Sequence, residues 1–312
     1  MAPLPHVSVV IPTRNRARML ERALNSIERQ TLPDPEVVVV DDGSTDDTVG
    51  LLGSRSGVKT ITSLERIGAA AARNLGIASA TGRYIAFLDS DDEYLPEKLE
   101  LQASFLESNP SVGAVYCRHI AIDDRTGRAR QSDAGMYRGW IHSTLLAGRC
   151  PHTTSLFMVR ADALRDCGGF DPELAGFQDT DLWLRMSKSW QFDYVDRHLV
   201  AVHSHDGQRL TTNIEERTLA VNAFLTKWGR EMESVMGAEG VARYRRDKLA
   251  VAQGFRVLEL VEAGERRSSI HELKTYVQLA GITHPRQLAG LLAAVTLGPG
   301  AHGRLKAALA RE

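Results

Sequence analysis

Val37-Val38-Val39-Val40-Asp41-Asp42-Gly43-Ser44-Thr45-Asp46 joins an unbroken run of β-branched residues directly to a cluster of acids and turn formers. Four consecutive valines leave no polar face, as expected of a strand covered by helices on both sides. The residues that follow combine turn formers with good helix N-caps. The same punctuation recurs on either side. His6 to Pro12 runs into Thr13-Arg14-Asn15, and Tyr84 to Leu88 runs into Asp89-Ser90-Asp91-Asp92-Glu93. A shorter strand is expected over Val58 to Ile61. Between these strands, Ala17, Leu20, Ala23, Leu24 and Ile27 fall on one helical stripe. Gly68 introduces an Ala-rich helix over Ala69 to Ser79, and Pro96 suits the first position of a helix carrying Leu99, Ala103 and Leu106. This alternation predicts an α/β fold with a Rossmann-like, mostly parallel sheet and flanking helices. Ligands in such sheets bind beyond the carboxyl ends of the strands, so the three polar clusters should converge on one rim.

Further along, strands are expected over Val112 to Arg118, Thr154 to Arg160 and Val200 to His205. A Gly168-Gly169-Phe170-Asp171 loop precedes a helix from Asp179 to Ser189, with Leu182, Trp183 and Met186 inward. From Ile214 the pattern is helical throughout and grows basic at Arg243, Arg245, Arg246 and Lys248. The expected organisation is therefore a sheet domain over 1–213 and a helical region over 214–312. A length of 312 residues accommodates both, at roughly 150 residues per domain. With 43% apolar and 25% charged residues the chain is not disordered, and a formal charge of −1 offers no global field for nucleic acid. The acids cluster early and the bases late.

Cys117, Cys150 and Cys167 are too few and too scattered for a disulfide framework, and Cys150-Pro151-His152 has no second thiol nearby to make a metal site. The start, Met1-Ala2-Pro3, shows no basic leader. The most apolar late stretch, Leu288 to Leu297, is far short of the roughly 20 residues needed to cross a bilayer. A cytoplasmic protein is expected. The apolar and basic tail from Leu288 to Ala310, with Arg304, Lys306 and Arg311, is expected to pack on the catalytic domain. It is also the candidate for peripheral contact with the inner membrane face or for a homo-oligomer.

Asp89 and Asp91 lie two apart at a strand end, which puts both side chains on one face of extended backbone. Two such carboxylates repel each other unless a cation sits between them. Oxygen ligands alone favour Mg²⁺ or Mn²⁺, with phosphate oxygens completing the shell. Asp92 or Glu93 suffices to cap the following helix. Asp41 and Asp42 supply one carboxylate more than local capping needs, and the surplus can accept hydrogen bonds from a base N–H or a ribose hydroxyl, as can Thr13 and Asn15.

In order and spacing, these blocks resemble the family 2 glycosyltransferases of GT-A fold. Val7 to Asn15, Val40 to Asp46, Gly68 with Ala72-Arg73-Asn74, and Gly82 to Pro96 carry the likeness. It continues through Gly168 to Asp171 and Gln178-Asp179-Thr180-Asp181-Leu182-Trp183-Leu184-Arg185, spanning residues 5 to 210. The resemblance implies that Pro12, Thr13 and Asn15 line a nucleotide pocket, that Asp42 contacts a base, commonly uracil, and that Arg73 borders the nucleotide. It makes Asp89 and Asp91 the DxD pair that holds ribose and the metal-bound diphosphate, with Asp91 the direct metal ligand. It makes Asp179 the catalytic base, although Gln178 stands where relatives commonly have Glu. Either His203 or His205 takes the place of the family's His near the diphosphate, with His205 preferred. The activity implied is inverting transfer from a UDP-sugar, with Mn²⁺ or Mg²⁺, to a hydroxyl of a glycan, glycolipid or natural product. Beside a helix N-terminus, Asp179 is expected to stay ionised and somewhat less basic.

Two other enzyme classes fit less well. A haloacid-dehalogenase-like phosphatase would need Thr or Val after its acids and meets Asp92-Glu93-Tyr94, leaving Asp41, Asp42 and Asp179 idle. A nucleotidyltransferase would need glycines around Arg14 and Arg16. The non-enzymatic alternative is a nucleotide-sugar-binding or glycan-binding relative without turnover, against which the retention of Asp89, Asp91 and Asp179 speaks. Trp183 and Leu184 are expected to pack, Asp181 to pair with Arg185 at i, i+4, and Arg243 to Arg246 to form a solvated helix face. Trp140 and His142 are candidates for acceptor contact and for core packing alike.

Overall fold

The computed structural model describes residues 7–132, 135–149, 153–204, 213–280 and 285–297. The chain forms two compact units, Met1–Glu173 with Gln178–His203, and Leu174–Phe177 with Ser204–Glu312.

In the first unit, β1 (Val7–Thr13), α1 (Ala17–Glu28), β2 (Glu36–Asp42), α2 (Thr48–Ser54), β3 (Val58–Ser63), α3 (Ala69–Ser79) and β4 (Tyr84–Phe87) alternate as their periodicity requires. β5 (Glu93–Tyr94), α4 (Lys98–Ser108), β6 (Val112–Asp123), β7 (Arg128–Gln131) and α5 (His142–Leu146) follow. A 3-10 turn (Thr154–Leu156), β8 (Met158–Arg160), α6 (Ala161–Cys167), α7 (Gln178–Met186) and β9 (Gln191–Ser204) complete it. The strand order is β3-β2-β1-β4-β8-β6-β9-β5, with β7 paired to β6.

The parallel part of this mixed sheet is β3-β2-β1-β4; the other described pairings run antiparallel. β7 is exposed throughout and shows no apolar alternation to read. Antiparallel neighbours need no helical crossover, and β6 turns straight into β7 through Asp123–Gly127.

Register brings the polar strand ends together. Thr13 lies opposite Asp41, Asp42 opposite Ser63, and Phe87 opposite Val10, so Asp89 emerges beside the end of β1. α3 lies tight on this sheet at Gly76, where a Cβ would come 2.4 Å from Val10 Cγ1 and 3.4 Å from Val40 Cγ2.

α4 buries a charge. Lys98 is fully enclosed; its Nζ donates to Gln102 Oε1 at 2.7 Å and sits 4.1 Å from the Tyr94 ring centroid. Gln102 Nε2 in turn donates to Leu156 O at 2.9 Å.

The second unit contains α8 (Ile214–Glu262), α9 (Arg266–Ala280) and α10 (Pro285–Leu297). Asn213 caps α8 by accepting from Glu215 N and Glu216 N, and Gly237 (φ 71°) kinks it. The helix ends in a Schellman motif at Gly264, with Gly264 N donating to Val261 O and Glu265 N to Leu260 O. Val257, Leu258, Tyr276, Leu291 and Ala294 are buried together. α10 therefore packs on α8 and α9. Arg243, Arg245 and Arg246 are exposed as expected. No helix among the described residues is long and apolar enough to cross a membrane. Arg304, Lys306 and Arg311 lie outside the described residues, as do Cys150, Pro151 and His152.

Burial lowers the Lys98 ammonium from 10.5 to about 8, a cost on the order of 3 kcal/mol at neutral pH. Above pH 8 the unfolded chain holds this proton and the folded one does not, so stability rises with pH. Cys117, pushed by burial from 9.0 to about 11, offsets this rise above pH 9, because there the folded chain holds the thiol proton and the unfolded one does not. Urea unfolding should therefore show stability rising between pH 8 and 9, and Lys98→Met should be more stable at pH 7 and lose that rise. An unchanged slope in the variant would refute the assignment.

Candidate active site

The carboxyl ends of β1 and β2 are laced together before any ligand arrives. Asn15, in the left-handed region at φ 50°, accepts from Thr45 N at 2.7 Å through Oδ1, while its own N–H donates to Ser44 Oγ at 2.8 Å. Asp42 spends both oxygens on the start of α3, accepting from Ile67 N (2.5 Å) and Gly68 N (3.1 Å). It is buried, and further contact with a base would have to use the remaining lone pairs of these same oxygens. Asp41 is fully buried; Oδ1 accepts from Ser44 N at 3.2 Å and from Ser44 Oγ. Asp41 Oδ2 and Thr13 Oγ1 are buried with no hydrogen-bond partner among the described residues. Such orphans are uncommon, and opposed residues on neighbouring strands supply both. Pro12, half-buried, precedes Thr13 on β1.

Beyond β4 the acids take separate partners. Asp89 accepts from Arg73 Nη2 at 2.6 Å and from Thr154 Oγ1 at 3.1 Å on each oxygen. Asp91 pairs with Arg16 at 3.1 Å. Asp92 is buried and accepts from Ser155 Oγ (2.6 Å) and His203 N (3.2 Å). Burial first, and then the charges of Asp91 and Asp89, push its carboxyl well above the usual range. The acids are thus close enough to oppose one another's charge. An all-oxygen, negatively charged donor set of this kind fits a hard divalent cation whose shell is completed from outside. No group of three or more His, Cys, Asp or Glu side chains poised for a metal occurs among the described residues.

His203 is committed elsewhere: Nε2 meets Glu93 Oε1 at 2.9 Å and Nδ1 meets Asp124 Oδ1, both within the network of Arg22. His205, the preferred histidine, lies outside the described residues.

Asp179 is the second residue of α7, and Arg73 and Asp89 both act on its charge. The helix-terminus argument expects a carboxyl of lowered basicity. Instead burial raises it, against the Thr180 N–H (2.7 Å) and the Arg73 guanidinium, while Asp89 raises it further. Desolvation is the largest influence on this carboxyl. A raised carboxylate is the better proton acceptor.

The surroundings are built to hold these groups. Asp181 is fully buried and bridged to Arg185 at 2.9 Å, as its i, i+4 spacing implies. Arg185 also donates to the carbonyls of Cys167 and Gly169, while Asn74 exchanges two 2.8 Å hydrogen bonds with the Phe170 backbone. The glycine loop is pinned from both sides. Trp183 and Leu184 are fully buried, Trp183 stacking on Phe157 at 4.1 Å. Trp140 is 62% exposed, and His142 Nδ1 meets Ser187 Oγ at 2.9 Å. Thr154, Ser155 and Arg16 were not expected at the site. Their only signal is polarity beside apolar runs, with no spacing that marks them.

The profile of Glycosyl transferase family 2 matches residues 8–168, just over half of the chain. An uncharacterized glycosyltransferase of Rickettsia conorii is 31% identical over 211 residues, covering 64% of this chain and 33% of the relative. A chondroitin synthase of Escherichia coli is 30% identical over 200 residues, covering 62% of this chain and 28% of the relative. The chain thus spans about a third or less of these relatives. Among solved structures, S. aureus TarS 1-349 in complex with UDP-GlcNAc superposes with a TM-score of 0.56 at 19% identity, over 98% of this chain and 91% of that one. The likeness in fold, sheet and helical region together, is to a GT-A glycosyltransferase.

Carboxyl NMR should find Asp179 titrating above the ordinary ~3.9 of an aspartate. Arg73→Gln should move it further up and Asp89→Asn back down. A midpoint indifferent to both changes would contradict this electrostatic grouping.

Proposed function

Because the chain belongs to glycosyl transferase family 2, we propose that its residues 1–213 transfer a sugar from a nucleoside diphosphate sugar to an acceptor hydroxyl, with inversion. The observation that carries this reading is Arg73, bonded to Asp89 and acting on Asp179, which ties a donor-side acid to a basic carboxylate. Residues 214–312 are an accessory helical region.

The donor is proposed to be a UDP-sugar, in keeping with the UDP-GlcNAc and UDP complexes of TarS. Pro12, Thr13, Asn15 and Asp42 form the nucleotide end of the pocket. The unpartnered Thr13 Oγ1 and Asp41 Oδ2 support it as polar groups still open to a ligand. Asp89 and Arg73 face the ribose and diphosphate. Asp91 and Asp89 would hold Mn²⁺ or Mg²⁺, with His205 the proposed third ligand. When bound, such a cation offsets the negative charge that gathers on the departing diphosphate.

Asp179 takes the proton of the acceptor hydroxyl as its oxygen forms a bond to the anomeric carbon and the bond to the diphosphate breaks. Its burial favours uptake of that proton, and Arg73 keeps the carboxylate available. Attack from the face opposite the leaving group inverts the anomeric centre. The acceptor is a glycan, glycolipid or small natural product.

UDP should raise the melting temperature only when Mn²⁺ or Mg²⁺ is present, and Asp91→Ala should abolish that shift. Asp179→Asn should keep the shift and lose at least ~100-fold in transfer, the usual scale of general-base catalysis. A metal-independent shift would remove the cation from the reading. Full turnover by Asp179→Asn would remove the base.

A further inference from the structure

α1 grips the main chain that carries the acids. Arg22 and Ser26, at i and i+4, share one face of the helix, and Gln30 follows its end. Arg22 Nη2 donates to Asp91 O at 2.6 Å, Ser26 Oγ accepts from Tyr94 N at 3.0 Å, and Gln30 Nε2 donates to Leu95 O at 2.9 Å. Bonds to backbone groups fix the course of a segment whatever side chains it bears.

Asp91 sits where that segment bends. Asp92 N donates to Asp89 O at 2.9 Å, closing a β-turn over Asp89–Asp92 with Asp91 at its third position. The peptide that leaves Asp91 is thus held at both ends, its N–H by the turn and its carbonyl by Arg22. Arg22 is itself fixed by a closed ring of charges. Its Nε lies 3.6 Å from Glu93 Oε1 and its Nη1 3.4 Å from Asp124 Oδ2. The buried His203 joins the same two acids through its two ring nitrogens. A guanidinium is a rigid fork and can serve two carboxylates and a carbonyl at once; an ammonium is a single point of charge.

We propose that Arg22 is a positioning residue for the divalent cation: by holding the Asp91 carbonyl, it fixes the turn from which the Asp91 carboxylate is presented. The inference rests on the reading of Asp91 as a cation ligand. It also accounts for an arginine placed among acids that are to attract a cation. By charge alone Arg22 repels a divalent ion, so its removal would tighten cation binding. As an anchor of the turn it acts in the opposite sense, because residues that orient a metal ligand account for roughly 10–100-fold in metal affinity. The sign of the change therefore separates the two roles.

The test is Arg22→Met in the full chain, with Mn²⁺ titrated at constant UDP and the free ion read by its EPR signal. Mn²⁺ affinity should fall at least ~10-fold. Exchange of the buried Asp92 amide should become at least ~10-fold faster, while the amides of β2 keep their wild-type rates. Arg55→Met removes the same charge from partners Glu21, Asn25 and Glu28 on α1, and should change neither quantity. If Arg22→Met lacks a cooperative melt, Arg22→Gln is read in its place. Three results would overturn the proposal and leave Asp91 standing as a ligand: Mn²⁺ affinity unchanged or tighter, Asp92 exchange matching the wild type, or an equal loss of affinity in Arg55→Met. Wild-type Mn²⁺ affinity in Asp91→Ala, measured in parallel, or no Mn²⁺ binding by the wild type, would overturn the ligand reading and this proposal with it.

Discussion

Four carboxylates within the five residues Asp89 to Glu93 crowd the end of a short central strand, and the first unit is arranged around their mutual repulsion. Each acid has its own answer. α3 sends Arg73 to Asp89, and α1 sends Arg16, just before it, to Asp91 and Arg22 and Arg29 to Glu93. The 3-10 turn gives Thr154 to Asp89 and Ser155 to Asp92, and β9 gives His203 to Asp92 and Glu93. Elements far apart in sequence are tied to one another through these acids. The cost of losing a partner is largest at Asp92, the one buried member, where a charge left unpaired has no water to replace its donors.

The neighbouring rim shows the opposite economy. Asp42 and Asn15 are engaged in holding loops, so this rim is laced together by the protein's own hydrogen bonds. Among the described residues, Thr13 Oγ1 and Asp41 Oδ2 are the buried polar atoms left without a partner there.

The parallel strands and the gathering of their polar ends on one rim were legible because valine runs and acid clusters are local signals. The i, i+4 pair of Asp181 and Arg185 was legible for the same reason. β7 was not, because an all-polar edge strand has no burial period. Nor were Thr154 and Ser155, whose use depends on a strand end some 65 residues earlier in the chain. The basicity of Asp179 was misjudged from the sequence because a helix terminus can be seen there and desolvation cannot. The excursion of Leu174–Phe177 leaves no periodic trace in four residues.

That excursion makes the chain pass between its compact units three times, after Glu173, after Phe177 and after His203. The protein is therefore interleaved rather than modular. A chain ended near residue 204 would leave the Phe177 ring without Phe224 and Arg217, its partners on α8. Two stretches some 40 residues apart in the chain therefore share one aromatic contact, and a change at Phe224 or Arg217 is felt at Phe177.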